Sequence, residues 1–298
     1  MTETGPPGGG RSDPAAARQV AASGFDKTCE RGRPVPVFSS ATKEIYYEID
    51  GSGPPLLLGH GLTETRSIWQ DLGYVDLLED RFTVLRADAR GHGQSFRPAG
   101  SRNYSLRGFV EDITDLLDHL GIAAVHYLGY SMGGRIGYAC LLYAPERLRT
   151  ALIGGSSPFD RPTAPVAVRT EADVPGFLAA MNGFAGSSPM DDPFAGRSLE
   201  EIRACADILL ADWPDLTPGL AARSISVQLF CGSLDPRLES IQRTCAMFPG
   251  IGCETLYRLD HSNALSNSRG IVGLLERQVF GRLDTGEVES RSPEVKPI

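Results

Sequence analysis

Residues 125–143 change period at a single serine. Up to Tyr130 the run VHYLGY reads as a short buried strand, and from Met132 the run MGGRIGYACLLY reads as a helix. Between them lies Gly129-Tyr130-Ser131-Met132-Gly133, a G-x-S-x-G pattern. A strand that passes into a helix through one residue holds that residue in a strained turn and presents its side chain at the sheet edge. Glycine is required on both flanks because a side chain there would strike the adjacent strand or helix. The helix behind the serine points its N-terminus at it, which favours negative charge developing there. The junction therefore predicts an α/β protein with a nucleophilic serine.

The rest of the chain keeps the same rhythm. Strand-like runs recur at 45–49 (IYYEI), 55–59 (PLLLG), 82–87 (FTVLRA), 148–153 (LRTALI), 225–231 (ISVQLFC) and near 254–259. Ser105 is placed to cap a helix in which Leu106, Val110, Ile113, Leu117 and Leu120 recur at helical spacing and Gly121 ends the run. Further helices are expected near 239–248 and 271–280. Such alternation builds a mostly parallel sheet with helices on both faces. The rhythm breaks once, at 157–222, where prolines and two helical runs (VPGFLAAMNGF and SLEEIRACADILLADW) replace any strand signal. This stretch is expected to be a small helical lid inserted into a core made of residues 37–156 and 223–283. The flanks, 1–36 and 284–298, are rich in Gly, Pro and polar residues and are expected to be disordered.

A serine needs a base to become a nucleophile. The chain has five histidines. His60 and His92 lie in glycine-bounded turns, His119 on a helix, and His126 opens the strand before the serine. Only His261 follows Ser131 in the chain, and it comes just after the last expected strand, where active sites gather in parallel sheets. An acid should orient it. Asp235, in a Gly/Pro-bounded loop after the strand at 225–231, is favoured, and Asp160, after the strand at 148–153, is the alternative. The carboxylate would fix the imidazole tautomer and stabilise the imidazolium. Asp260, next to His261, is expected to point elsewhere in an extended segment.

With the order Ser131, Asp235, His261 and the runs LLLGHGLTETRSIW and ADARGHGQS, the chain resembles the α/β-hydrolase fold superfamily, of the serine esterase and enol-lactonase type, over roughly residues 40–281. The resemblance implies an α/β-hydrolase fold with an eight-stranded, mostly parallel sheet, and backbone N–H groups of Leu62 and Met132 that form an oxyanion hole. It also makes Asp88, Arg90 and His92 shapers of a second turn. Members often carry glycine before the catalytic histidine, where this chain has Asp260. Trp69, Tyr130, Phe177, Met181 and Phe184 are candidates for the substrate pocket, although Trp69 fits packing of a helix onto the sheet equally well, and the lid residues fit lid core. Arg135, Arg161 and Arg169 could bind a substrate carboxylate or be solvated.

A net charge of −8 without a basic run argues against nucleic acid. The absence of a long apolar segment argues against a membrane span and for a cytoplasmic protein. Six scattered cysteines without a C-x-x-C pair suggest free thiols, the nearness of Cys245 and Cys253 notwithstanding. A serine rather than an aspartate at the elbow excludes routes through an alkyl-enzyme ester. No metal or organic cofactor is expected. The expected activity is hydrolysis of a small to medium carboxylic ester or lactone. Alternatives are C–C bond hydrolysis of a β-diketone or ring-cleavage product, cofactor-free perhydrolysis or acyl transfer, and a ligand-binding protein of the same fold.

Overall fold

The computed structural model describes residues 35–159, 167–185, 194 and 196–281. The two flanks expected to be disordered thus lie almost wholly outside the described residues, as do Asp160 and Arg161. Eight strands form one sheet: β1 (Val37–Ser39), β2 (Glu44–Gly51), β3 (Pro55–Gly59), β4 (Thr83–Ala87), β5 (Val125–Tyr130), β6 (Leu148–Gly154), β7 (Ser226–Gly232) and β8 (Gly252–Leu256). Their order is β1-β2-β4-β3-β5-β6-β7-β8. The β1–β2 and β2–β4 pairs are antiparallel and every other pair is parallel, so the sheet is mostly parallel as expected.

Side-chain alternation along these strands builds the layers. On β3, Leu57 packs with Leu106, Phe109 and Ile136 of helices α3 (Leu106–His119) and α4 (Met132–Tyr143). Leu56 and Leu58 point the other way. They pack with Trp69 of α1 (Ile68–Asp71), Tyr74 and Leu78 of α2 (Tyr74–Leu78) and Ile271 and Leu275 of a later helix, Ser268–Phe280. Tyr127 and Leu128 on β5 divide between the two faces in the same way. Buried on both sides, the central strands become the apolar runs that the sequence shows. Ser105 caps α3 through its side chain, which accepts the Gly108 N–H at 3.2 Å.

Between β6 and β7 the described residues form helices and no strand: α5 (Val174–Ala185), α6 (Leu199–Leu209) and α7 (Thr217–Ala221). Phe177, Phe194, Ile202, Cys205 and Leu209 bury one another in a small core of their own, with Leu62 of the main body packed against it. The chain then completes β7, α8 (Leu238–Met247), β8 and α9 (Ser268–Phe280).

One expectation shifts. The last strand ends at Leu256 rather than near residue 259, because Arg258 adopts a left-handed backbone (φ 61°) that no strand accommodates. The strand β1 and the short helices α1 and α2 carry too few residues to show a period. Among the described residues, no helix is long and apolar enough to cross a membrane. Cys140, Cys205, Cys231, Cys245 and Cys253 are free thiols.

Candidate active site

The carboxyl ends of β3, β5, β6, β7 and β8 converge on one edge of the sheet, and each is followed by a piece of the site. Ser131 follows β5 directly with φ 53° and ψ −110°, one of two described non-glycine residues at positive φ. Its N–H donates to the Gly154 carbonyl of β6 at 2.9 Å, which fixes the strained turn to the neighbouring strand. Gly133 shows why the pattern needs glycine. Its N–H donates to His60 O at 3.0 Å, and a Cβ there would fall on the backbone of Gly59.

Asp235 follows β7 and is 3% exposed; His261 follows β8. The structure joins them to the serine: His261 Nδ1 lies 2.6 Å from Asp235 Oδ2, and His261 Nε2 lies 2.9 Å from Ser131 Oγ. A carboxylate can only accept, so Nδ1 carries the proton and Nε2 is left to accept from the serine hydroxyl. Burial pushes the His261 imidazolium down below its ordinary range, against the opposing pull of the Asp235 hydrogen bond. Burial alone would raise Asp235, but hydrogen bonds from His261 and from the Arg237 N–H at 2.9 Å keep its carboxyl below the usual value. The base is thus neutral and the acid ionised near pH 7.

The shelf under His261 is built from residues that a pattern search passes over. Tyr130 stacks on the imidazole (centroids 5.2 Å apart, planes at 27°) and donates its hydroxyl to the His261 carbonyl at 2.7 Å. At 3% exposure it supports the base rather than lining a pocket. Gly155, at φ 58°, leaves the space for both rings, since a Cβ there would meet Tyr130 at 2.8 Å and His261 Cε1 at 3.0 Å. Asp260 does not lie in an extended segment. Its Oδ1 accepts the Ser262 and Asn263 N–H groups at 2.9 and 3.0 Å, and its own N–H donates to Asn263 Oδ1 at 2.7 Å. An aspartate therefore closes the turn that carries His261.

Of the two residues expected to supply oxyanion donors, Leu62 lies two residues past His60 and Met132 at the first position of α4. Neither N–H is taken by a protein acceptor among the described residues. Leu62, Glu64, Ser131 and His261 all keep partial exposure, so the relay is open to the surface at the serine.

Elsewhere the candidates turn out to be structural. Asp88, fully buried, accepts the Arg66 and Gln94 N–H groups at 2.9 Å each and pairs with the Arg66 guanidinium. Arg90 donates to Asp112 at 2.6 Å and to the Asn103 and Gly108 carbonyls at 2.7 Å each. His92 reaches the Leu62 carbonyl with Nε2 at 2.6 Å. Trp69 is fully buried edge-on to Tyr74 (5.0 Å, 88°), so it packs the sheet face. Phe177 is fully buried against Phe194 (5.4 Å, 73°), and Met181 packs on the same small cluster. The side chain of Phe184 lies outside the described residues. Arg135 is neither solvated nor turned to a pocket; it is 4% exposed and donates to the Ser157 and Pro214 carbonyls at 3.0 and 2.9 Å. Arg169 is exposed. Among the described residues, no group of three or more His, Cys, Asp or Glu side chains is placed to hold a metal ion.

Comparison with known proteins agrees with this architecture. The family model for the alpha/beta hydrolase fold matches residues 54–190. The enol-lactonase from Burkholderia xenovorans superposes with a TM-score of 0.67 at 23% identity, covering 81% of this chain and 98% of its own. A thermophilic esterase from Thermogutta terrifontis gives 0.66 at 23% identity, covering 82% and 97%. In sequence, a fluoroacetate dehalogenase from a Burkholderia species is 38% identical over 101 residues. That match spans 33% of this chain and 33% of the dehalogenase, a third of the relative's length.

Proposed function

From a chain with the α/β-hydrolase fold, we propose a serine hydrolase that cleaves a small to medium carboxylic ester or lactone through an acyl-enzyme on Ser131. The observation that carries the proposal is the relay Asp235–His261–Ser131, with its two hydrogen bonds of 2.6 and 2.9 Å. Ser131 Oγ attacks the carbonyl carbon while its proton passes to His261 Nε2. The carbonyl π pair moves onto oxygen, where the N–H groups of Leu62 and Met132 receive the charge. The tetrahedral intermediate then collapses, the bond to the leaving oxygen breaks, and His261 returns the proton to that oxygen. Water repeats the sequence on the acyl-enzyme, losing a proton to His261 and releasing a carboxylic acid and free Ser131. Asp235 stays ionised throughout and stabilises the transient imidazolium.

The helical segment between β6 and β7 serves as the lid over this site. An ester or lactone without a second carboxylate suits it better than an acidic ring-cleavage product, because Arg135 is committed to backbone carbonyls. With a serine rather than an aspartate at the elbow, the proposed intermediate is an acyl-serine and not an alkyl ester. The same reading places the protein in the cytoplasm, where free thiols such as its five described cysteines persist.

The test is intact-mass labelling with a fluorophosphonate. A single adduct on the wild type and none on Ser131→Ala is the expected result. A folded wild type that takes no adduct would sink the proposal.

A further inference from the structure

We propose that the lid sets the geometry of the oxyanion hole, with Arg197 and Cys205 acting as positioning residues that grip the turn carrying Leu62; this rests on the reading of Ser131 as an acylating nucleophile. The argument begins with the backbone of that turn, residues 60–63. From the main body it is held at three points. The Gly133 N–H donates to His60 O at 3.0 Å, Glu64 Oε2 accepts the Gly61 N–H at 2.7 Å, and His92 Nε2 donates to Leu62 O at 2.6 Å.

From the lid it is held at two more. The Cys205 thiol donates to the same Leu62 carbonyl at 3.4 Å, and the Arg197 guanidinium donates to the Thr63 carbonyl. A carbonyl oxygen has two lone pairs. At Leu62 one is taken by the main body and the other by the lid. Burial pushes the Cys205 thiol up to about 12, so it remains an S–H donor rather than a thiolate. The Leu62 side chain repeats the division, packing on the main core cluster on one side and on the lid cluster on the other.

Both grips belong to one rigid body. Arg197 stands just ahead of α6, and Cys205 lies within that helix. The helix start is locked by a reciprocal cap, in which Ser198 Oγ accepts the Glu201 N–H at 3.3 Å and Glu201 Oε2 accepts the Ser198 N–H at 2.9 Å. A shift of α6 therefore moves both contacts together. Peptide planarity leaves only φ and ψ free at each residue. Fixing the carbonyls of Leu62 and Thr63 limits the directions open to the Leu62 N–H, which must meet the oxyanion. Since the oxyanion exists only after attack, loosening this turn raises the barrier without weakening substrate binding.

The experiment measures kcat and KM for p-nitrophenyl butyrate, together with inhibition by an aryl trifluoromethyl ketone, whose serine hemiketal puts an oxyanion in the hole. Arg197→Met is expected to lower kcat on the order of tenfold, with KM little changed and ketone affinity falling in parallel. Arg197→Lys should recover part of the loss. Cys205→Ala should cost a few-fold, the thiol being a weak donor, and Cys205→Ser should restore it. Arg203→Met, which alters a lid arginine bonded to the Arg169 carbonyl and not to the turn, should leave kcat alone. Unchanged kcat and ketone affinity in folded Arg197→Met would overturn the proposal, as would a rise in KM alone. Should Cys205→Ala fail to fold, the two Arg197 variants decide. A wild type that neither turns over the ester nor binds the ketone would overturn the proposed function itself, which an active wild type with indifferent variants would not.

Discussion

The sheet edge and the lid are held by different means. At the edge, strand pairing fixes the geometry. Ser131 is tied to β6 through backbone hydrogen bonding, Asp235 sits in a loop whose Leu234 N–H meets the Leu259 carbonyl at 2.9 Å, and the glycines leave no slack. Among the described residues the lid makes no strand with the body. It is fastened by side chains reaching for backbone (Trp213 Nε1 to Tyr104 O at 2.9 Å, Asp207 Oδ2 accepting the Gly100 N–H at 2.8 Å, Arg135 to Pro214 O, and the two contacts to the 60–63 turn) and by Ile208, Trp213, Leu216 and Leu220, which are buried in the main core. Each such bond contributes about 0.5–1.5 kcal/mol, and only the cluster around Phe177 and Phe194 stands apart from the main core. The proposed chemistry then belongs to the paired strands, and the Arg197 and Cys205 contacts are the part that substitution can adjust.

The contrast can be attacked from its rigid side first. Asp235→Asn should leave the fold intact and lower kcat by roughly 10⁴-fold, because an amide no longer holds His261 in the tautomer that accepts from Ser131. A mild loss in a steady-state assay would move the acid elsewhere, with Asp160 the first position to try. On the lid side, Phe177→Ala empties a fully buried site and should cost about 3–5 kcal/mol of lid packing. Hydrogen exchange should then rise in α5 and α6 while β3, β5 and β6 keep their protection. Uniform loss of protection would mean that lid and sheet unfold as one unit.

Smaller effects sharpen the picture. Tyr130→Phe removes the hydroxyl that holds the His261 carbonyl but keeps the stacked ring, so a several-fold drop in kcat with little change in KM is expected from ester kinetics. The pH profile of kcat/KM should keep its plateau below pH 6.5, because burial lowers the His261 value and the neutral base survives to lower pH. A midpoint above 6.5 would contradict that burial. Stability follows a related rule. Burial lowers His60 to about 4 and His92 to about 3, so between pH 6.5 and 4 the unfolded chain binds protons that the folded one does not. Stability should be full above pH 6.5 and fall as pH drops through that window, read as a decline in Tm.

Much of the rigid layer was legible in the sequence because it repeats a local pattern. Strand, elbow and helix at 125–143 obey a period, Ser105 announces the start of α3, and His261 follows from chain order. The supports were not legible, since each joins distant positions. Tyr130 meets His261 across 131 residues, and Cys205 meets Leu62 across 143. Trp69 was ambiguous for another reason, since an aromatic on a short helix reads the same whether it faces a cavity or a sheet. Asp260 looked like a departure from a glycine position, yet its side chain supplies the turn bonds itself.

The spacing of the relay along the chain has a consequence for how the protein is made. Ser131 and His261 are 130 residues apart, with the lid threaded between them. At a synthesis rate of roughly 5–20 residues per second, about 7–26 s separate the emergence of the nucleophile from that of its base. During this interval the nascent chain displays a serine with no histidine to activate it, so the proposed nucleophile stays silent until the segment just before α9 has left the ribosome.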